Sequence, residues 1–221
     1  MSPLLRAHFD MELARLNESV LDMGSRARQA VAASIRALVD NDLELAAEVV
    51  AGDMVINDLR FRIEKQCYAL LVMEQPVAGD MRAIVAALSI GNELERVGDH
   101  GKRIAKMQQR QGNAPISIPL SGITRMCELS LELMDRALQS YATRDVVAAK
   151  NICKDDDEVD ALYKQTFNVT LTYMLENVKA IGPGTFLIQV AHELERVADR
   201  ATNIAERVIY AQTGELIDLN V

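Results

Sequence analysis

Hydrophobic residues recur at steps of three and four along most of the chain, which is the spacing of an amphipathic α-helix. The first such pattern runs from about Phe9 to Asp40, and its apolar positions are Leu13, Leu16, Val20, Met23, Ala27, Val31 and Leu38. It breaks at Asn41-Asp42, where the side chain of Asp42 can cap the next helix. The pattern therefore predicts one long first helix.

A second helix is predicted from Asp42 to about Met73, with apolar positions Leu45, Val49, Ile56, Leu59, Ile63 and Leu70. Because proline disfavours a helical residue before it but is tolerated at a helix start, Gln75-Pro76 should end this helix and open the third. Asp80 then falls in the first turn, where the helix dipole favours an anion. The third helix carries Ile84, Leu88, Val97 and Ile104 and should end near Gln111-Gly112-Asn113.

Two prolines and a glycine between Ala114 and Gly122 interrupt the pattern and predict a linker. No stretch of the chain alternates with period two, so no strand is predicted. Three more helices are expected over about Ile123–Tyr141, over Asp145–Asn177, and from a turn at Ile181-Gly-Pro-Gly184 to about Thr213. The predicted fold class is all-α, with antiparallel three-helix bundles over residues 1–113 and 123–221, joined by residues 114–122.

An internal repeat agrees with this division into two halves. Residues 93–99 read Glu-Leu-Glu-Arg-Val-Gly-Asp, and residues 193–199 read Glu-Leu-Glu-Arg-Val-Ala-Asp. The segments differ only by Gly98 in the first and Ala198 in the second. A repeat this close indicates that the chain contains two copies of one unit.

Each copy of the repeat places two carboxylates four residues apart, which puts them on one face of a helix. Like charges at this spacing repel by roughly 0.2–0.5 kcal/mol on an isolated helix, and a bound cation would offset that repulsion. The preceding helix of each copy carries a second polar pair at the same spacing. The pairs are Asp53/Asn57 and Glu95/Asp99 in the first copy, and Asp156/Asp160 and Glu195/Asp199 in the second.

The position of the turns predicts that these pairs meet. In the first copy they lie about twenty-one residues before and after the turn at Pro76, so they should face each other in an antiparallel hairpin. In the second copy, a turn near Ala180 leaves a mismatch of about five residues, or about 7 Å along the helix. We therefore predict two sites of four oxygen-bearing side chains. Such ligands suit hard cations such as Mg, Mn, Ca or iron.

Two alternatives remain open at this stage. Most Glu and Asp side chains are simply solvated, and Arg96 and Arg196 could pair with the acids in a metal-free helical scaffold. A carboxylate-bridged metalloenzyme would instead use Glu-x-x-His motifs, but the residues three before His8, His100 and His192 are Leu5, Val97 and Gln189. Since there is also no glycine-rich phosphate loop or nucleophile elbow, we predict no catalytic residue and expect a non-enzyme.

Composition and charge narrow the class of protein. The chain is 49% hydrophobic but only 4% aromatic, which is typical of packed helices. Its net charge of −8 disfavours a nucleic-acid partner. The longest apolar run, Ala83–Leu88, is too short to cross a bilayer, and the start has no signal-peptide core. The scattered Cys67, Cys127 and Cys153 indicate reduced thiols, so a cytoplasmic protein is expected.

A basic tract lies late in the third helix, where cations suit the helix dipole. We interpret it as a solvated helix end rather than as an anion or partner site. It comprises Lys102, Arg103, Lys106 and Arg110.

Several segments together resemble the PhoU family, the accessory regulators of bacterial phosphate uptake. They are residues 52–57, 75–82, 93–99, 156–160, 171–174 and 193–199, and the resemblance spans nearly the whole chain. It implies two pseudo-symmetric three-helix bundles whose Glu/Asp-x-x-x-Asp motifs hold metal ions. It also implies a cytoplasmic, often dimeric protein that acts on the ATPase subunit of the phosphate ABC transporter and on the phosphate-regulon sensor kinase. High phosphate would keep that kinase quiet through it.

The family's metal motifs can be carried over residue by residue. The candidate ligands are Asp53, Asn57, Glu95, Asp99, Asp156, Asp160, Glu195 and Asp199. The ions that the resemblance implies are divalent or trivalent, namely Mg, Mn, Zn or Fe. Asn57 is neutral where the second copy has Asp160, so the first site should bind a cation more weakly. The basic tract has no counterpart in the second copy, where Glu206 stands opposite Lys106.

Overall fold

The computed structural model describes residues 3–74, 76–112 and 114–217, and their side chains other than those of residues 3–5, 74 and 153–155. Six long helices make up most of these ranges, with no strand among them. They are α1 Pro3–Asp40, α2 Leu43–Glu74, α3 Gly79–Gln111, α4 Ser121–Thr143, α5 Val146–Glu176 and α6 Ile181–Thr213. A short 3₁₀ turn, Val178–Ala180, precedes α6. The prediction of an all-α fold with two pseudo-symmetric antiparallel three-helix bundles is confirmed.

The corners that join the first two helices of each bundle are built alike. At the first corner Asn41 has a φ of 53°, and the side chain of Asp42 accepts the backbone N–H of Leu45 at 2.9 Å. At the second corner Arg144 has a φ of 57°, and the side chain of Asp145 accepts two backbone N–H groups of α5, each at 2.9 Å. Each corner thus combines a residue in the left-handed backbone region, which ends one helix, with an aspartate whose side chain caps the start of the next.

The start of α3 differs from the prediction. Pro76 lies in the connection before the helix, and α3 begins at Gly79. Ala78 has a φ of 46°, which is outside the right-handed helical region, so the helix does not extend further back. Asp80 lies in the first turn as predicted, and its carboxylate accepts a hydrogen bond from Arg6 at 2.6 Å.

The first helix begins at Pro3, six residues before its predicted start at about Phe9. The other predicted boundaries lie close to those in the structure. The linker ends slightly early, because α4 begins at Ser121 rather than Ile123. The second helix ends at Glu74 and the third at Gln111, next to their predicted ends at about Met73 and residues 111–113. Gln75 and Asn113 themselves lie outside the described residues.

The predicted turn at Ile181-Gly-Pro-Gly184 is wrong, because these four residues form the first turn of α6. Pro183 fits there, since the first N–H groups of a helix have no partner within the helix. The chain turns earlier, at Asn177, whose side-chain oxygen accepts the N–H of Lys179 at 3.0 Å. The earlier turn brings the two acidic pairs of the second copy to nearly equal distances from the corner.

The two bundles share one hydrophobic core, with α3 and α6 at its centre. These two helices pack along each other in opposite directions, and Ile84, Ile90 and Leu94 of α3 are fully buried. The predicted apolar stripe of α1 is also buried. Since α3 and α6 meet inside, the seams between α2 and α3 and between α5 and α6 lie toward the outside. None of the described helices is both long and apolar enough to cross a bilayer.

Two of the three cysteines are described as free, buried thiols, as the sequence predicts. Burial raises the pKa of Cys67 to about 12 and that of Cys127 to about 11, so both stay protonated at neutral pH. The side chain of Cys153 lies outside the described residues.

Packing across each hairpin explains the one difference between the repeats. A Cβ atom at Gly98 would lie 2.8 Å from Cδ1 of Ile56 on α2. In the second copy Ala198 is buried, and the residue that corresponds to Ile56 is Val159, which is also buried. Valine lacks the methyl group that would clash. In the first copy the larger Ile56 is thus paired with the smaller Gly98. In the second copy the smaller Val159 is paired with the larger Ala198.

We expect Gly98→Ala to destabilise the protein by about 1 kcal/mol, because overpacking of about 1–3 kcal/mol exceeds the helix-propensity gain of about 0.5–1 kcal/mol. Ile56→Val should cost about 1 kcal/mol alone. Combined with Gly98→Ala it should restore stability, since it recreates the pair found in the second copy. A double-mutant cycle from urea unfolding would measure this coupling. Simple addition of the two losses would refute the packing explanation.

Candidate functional site

The first acidic cluster, Asp53, Asn57, Glu95 and Asp99, lies on the seam between α2 and α3. Asp53 is only 4% exposed, and its Oδ2 accepts hydrogen bonds from Asn57 Nδ2 at 2.8 Å and from Lys102 Nζ at 2.5 Å. The same ammonium lies 4.0 Å from Oδ1 of Asp99. Burial and repulsion from Asp99 raise the pKa of Glu95. The structure therefore brings together the four predicted residues and adds Lys102, which the sequence had not assigned to the site.

The second acidic cluster, Asp156, Asp160, Glu195 and Asp199, lies on the equivalent seam between α5 and α6. Burial, followed by repulsion from Asp199 and Asp160, raises the pKa of Asp156 to about 6. Burial also raises the pKa of Asp199, and this outweighs the opposing effect of nearby arginines. These carboxylates are thus close enough to repel one another, as predicted.

A histidine and an arginine lie at the rim of the second cluster, and among the described side chains no lysine forms an ion pair with it. His192 Nδ1 lies 2.8 Å from Oε2 of Glu195, and Arg196 Nε lies 3.5 Å from Oδ2 of Asp199. The residue that corresponds to Lys102 is Thr202, which is fully buried and donates its hydroxyl to the carbonyl of Ala198 at 3.5 Å. Its side chain therefore supplies no positive charge to the cluster.

The donor chemistry of the second cluster fits a hard cation, because its four side chains offer only carboxylate oxygens that are partly desolvated and mutually repelling. In the conformations described, however, no three His, Cys, Asp or Glu side chains of the described residues converge closely enough to hold a metal ion. A bound ion would require rotation of these half-buried side chains about their χ angles. The metal site therefore stays a prediction.

We expect Asp156→Asn to raise the melting temperature at pH 7.5 in the presence of a chelator. A carboxyl whose pKa is raised in the folded state holds its proton more tightly there than in the unfolded chain. Its contribution to stability therefore falls as the pH rises from about 4 to about 6, and stays level above. The advantage of Asp156→Asn should shrink toward pH 4, as melting scans across this range would show. An identical pH slope in both proteins would contradict the clustering of these acids.

Sequence reasoning missed a pair of ionic contacts between the two copies. Glu193 on α6 lies against α3, with His100 Nδ1 at 2.5 Å and Arg103 Nη1 at 3.6 Å from its Oε2. Burial alone would raise the pKa of Glu193, but the hydrogen bond and charge of His100, together with Arg103, hold it below its ordinary value. Because His100 is buried, this contact lies inside the seam between the bundles.

The pseudo-symmetric contact runs in the opposite direction. Glu93 on α3 accepts hydrogen bonds from Arg200 Nη1 at 3.0 Å and from Asn203 Nδ2 at 3.1 Å, both on α6. The repeat thus contributes the first Glu of its motif to the contact between the bundles. In each copy, the residue seven positions after this Glu pairs with the Glu of the other copy. The spacing can be read from the sequence, but its meaning depends on knowing that α3 packs against α6.

The interpretation of the basic tract as a solvated helix end is wrong for its first two residues. Lys102 and Arg103 form ion pairs with Asp53 and Glu193, so this part of the tract is not simply a solvated helix end. Lys106 and Arg110 are exposed, as the sequence interpretation expected.

Comparison with known proteins settles the family. The model of the PhoU domain matches the chain twice, over residues 20–107 and 123–208. The chain belongs to the PhoU family. A Rhizobium meliloti protein named as a phosphate-specific transport system accessory protein PhoU homolog is 39% identical over 93% of this chain and 87% of its own length. A Caulobacter vibrioides protein of the same name is 40% identical over 92% and 89% of the two chains.

Solved structures of PhoU proteins share this fold. The Streptococcus pneumoniae phosphate transport system regulatory protein PhoU superposes with a TM-score of 0.89 at 30% identity, over 95% of this chain and 99% of its own. PhoU from Pseudomonas aeruginosa also gives 0.89 at 30% identity, over 94% and 100% of the two chains. The two ranges that match the PhoU domain, 20–107 and 123–208, contain the first and the second acidic cluster. The chain is therefore a PhoU-family regulator of phosphate transport.

Proposed function

We propose that this protein is an adaptor that links phosphate uptake to phosphate-regulon signalling. It would contact the ATPase subunit of the phosphate ABC transporter and the sensor kinase, and would keep the kinase quiet when phosphate is abundant. It would act in the cytoplasm, as a homodimer and without catalysing a reaction. The observation that carries the proposal is the double PhoU domain, shared over nearly full length with relatives named as phosphate transport accessory proteins.

Metal binding is the second part of the proposal. Asp156, Asp160, Glu195 and Asp199 would hold a hard cation such as Mg or Mn, or another of the predicted ions, Zn or Fe, between α5 and α6. The ion would supply positive charge that neutralises the repelling carboxylates and joins the two helices. Partners docking on the bundle could then select one arrangement of this hairpin, since a ligand shifts an equilibrium by its differential affinity for the two states.

A specific observation favours the metal-free scaffold as the second candidate. Lys102, Arg196 and His192 already contact carboxylates of the two clusters. If such contacts replace metal altogether, the melting temperature should be indifferent to added Mn²⁺. A cation that binds the folded state must raise it, by RT ln(1 + [L]/Kd) in free energy.

The adaptor role can be tested with the partners from the same organism. Purified protein should bind the transporter ATPase subunit and the cytoplasmic part of the sensor kinase in biolayer interferometry, and light scattering should show a dimer. Deleting the gene should raise expression of the phosphate-uptake genes at high phosphate, and the wild-type gene should reverse this. The combined variant Glu195→Ala, Asp199→Ala should fold but restore repression poorly. Absence of binding together with unchanged expression would refute the proposal.

A further inference from the structure

We propose that the ammonium group of Lys102 is a built-in cation that excludes a divalent metal ion from the first acidic cluster, so that this chain binds metal only at the second. The inference deepens the proposed metal site, on which its second half rests. Lys102 Nζ lies 2.5 Å from Oδ2 of Asp53 and 4.0 Å from Oδ1 of Asp99, so it bridges the acids of α2 and α3. That position between two helices is where a metal ion would have to bind.

Asp53 makes an ammonium at this place especially favourable. Its side chain is 4% exposed, and its Oδ1 is buried without a hydrogen-bond partner. A buried carboxylate is costly unless a charge or donors compensate it. Asn57 supplies one amide donor to Oδ2, at 2.8 Å, and Lys102 supplies the only positive charge among the contacts described for this carboxylate. Removing Lys102 would leave that charge unbalanced, which a divalent ion could correct.

The two clusters differ in net charge, and the second is the more negative, as the proposal requires. The first contains three carboxylates, one neutral amide at Asn57 and the ammonium of Lys102. The second contains four carboxylates, with Thr202 in the position of Lys102. The threonine hydroxyl donates a hydrogen bond to the backbone of its own helix, and it brings no positive charge to the acids. A divalent ion would therefore meet one more carboxylate in the second copy, where the contacts described for the acids are with Arg196 and His192 at the rim.

Because Lys102 is part of the chain, its ammonium should outcompete a free divalent ion for the first cluster. Lys102 is attached to α3 one turn after Asp99, so its ammonium has a high effective concentration at the cluster. A divalent ion must displace it and move a partly buried side chain, which is 27% exposed, into water. We therefore expect binding of Mn²⁺ at the first cluster to be at least tenfold weaker than at the second.

Equilibrium dialysis of the chelator-stripped, full-length protein against MnCl₂ tests the proposal. The decisive background is Asp156→Asn, Asp160→Asn, which removes ligands from the second cluster. At a free concentration of Mn²⁺ that half-loads the wild type, this double variant should bind less than about a tenth of an equivalent. Adding Lys102→Met should restore about one equivalent of Mn²⁺, which Asp53→Asn should abolish again. Mn²⁺ should also raise the melting temperature of the Lys102→Met triple variant, which shows that the protein is folded.

Two controls separate charge from a general effect of mutation. Lys102→Arg keeps a positive charge and should exclude Mn²⁺ as the wild type does. Lys106→Met removes an exposed lysine one turn further along the same helix and should restore nothing. The proposal is overturned if the double variant still binds Mn²⁺ through Asp53, or if a folded triple variant binds none. If Lys102→Met gains an ion while the wild type binds none, the second metal site fails but the role of Lys102 stands.

Discussion

Gly101→Ala should destabilise this protein by about 2–3 kcal/mol, the largest loss expected from a single added methyl group. A Cβ atom at Gly101 of α3 would lie 2.9 Å from the backbone nitrogen of Val31 and 3.0 Å from the carbonyl carbon of Ala30. Both neighbours are main-chain atoms of α1, which cannot rotate away as a side chain can. The two helices would have to separate, and the packing around their crossing would be lost. Urea unfolding followed by circular dichroism would measure the change.

Gly52→Ala is the matched control for this substitution. Gly52 lies inside α2, and a Cβ atom there would have no heavy atom within 4 Å. The substitution should therefore stabilise the protein by about 0.5–1 kcal/mol through helix propensity alone. Equal effects of the two substitutions would contradict the close approach of α1 and α3.

Glu193→Ala should cost about 3 kcal/mol, because it leaves the buried His100 and the nearby Arg103 without their carboxylate. The side chain of Glu193 is 17% exposed and that of His100 is 4% exposed, so water replaces the lost contact poorly. Glu193→Gln keeps the shape and should cost less. Asp22→Ala removes an acid from an exposed pair with Arg26, 47% and 48% exposed, and should change stability by less than about 0.5 kcal/mol.

The loss on Glu193→Ala should also depend on pH. Because the pKa of Glu193 is lowered in the folded protein, its stabilisation is present above the ordinary glutamate pKa and is lost as the pH falls through the lower, folded value. The difference between wild type and Glu193→Ala should therefore be full at pH 7 and shrink in strong acid. Chemical unfolding at several pH values would show this, and a difference that grows with acidification would contradict the ion pair.

The antiparallel hairpins and their acidic pairs could be predicted because both follow from periodicity. Residues four apart share a helix face, and equal distances from a turn give equal heights, so Asp53 could be matched to Glu95 before any coordinates. The turn before α6 was placed wrongly because Gly182 and Pro183 are typical turn residues. At the start of a helix, however, proline has no hydrogen bond to lose.

The charged contacts could not be predicted, because they depend on how whole helices face each other. Lys102 lies three residues after Asp99, and this spacing suits a solvated side chain as well as one folded into the cluster. The contact between Glu93 and Arg200 requires that α3 and α6 pack in opposite directions across the pseudo-twofold axis. Nothing in either repeat by itself specifies its packing against the other.

Of the two matched acidic seams, the first holds the ammonium of Lys102, and we propose that the second binds a metal cation. An anomalous-scattering map from crystals grown with Mn²⁺ tests this most directly. We expect a peak between α5 and α6, within bonding distance of Asp156 and Asp199, and none beside Lys102. A peak at Asp53 in the wild-type protein, or no peak at either seam, would contradict the account.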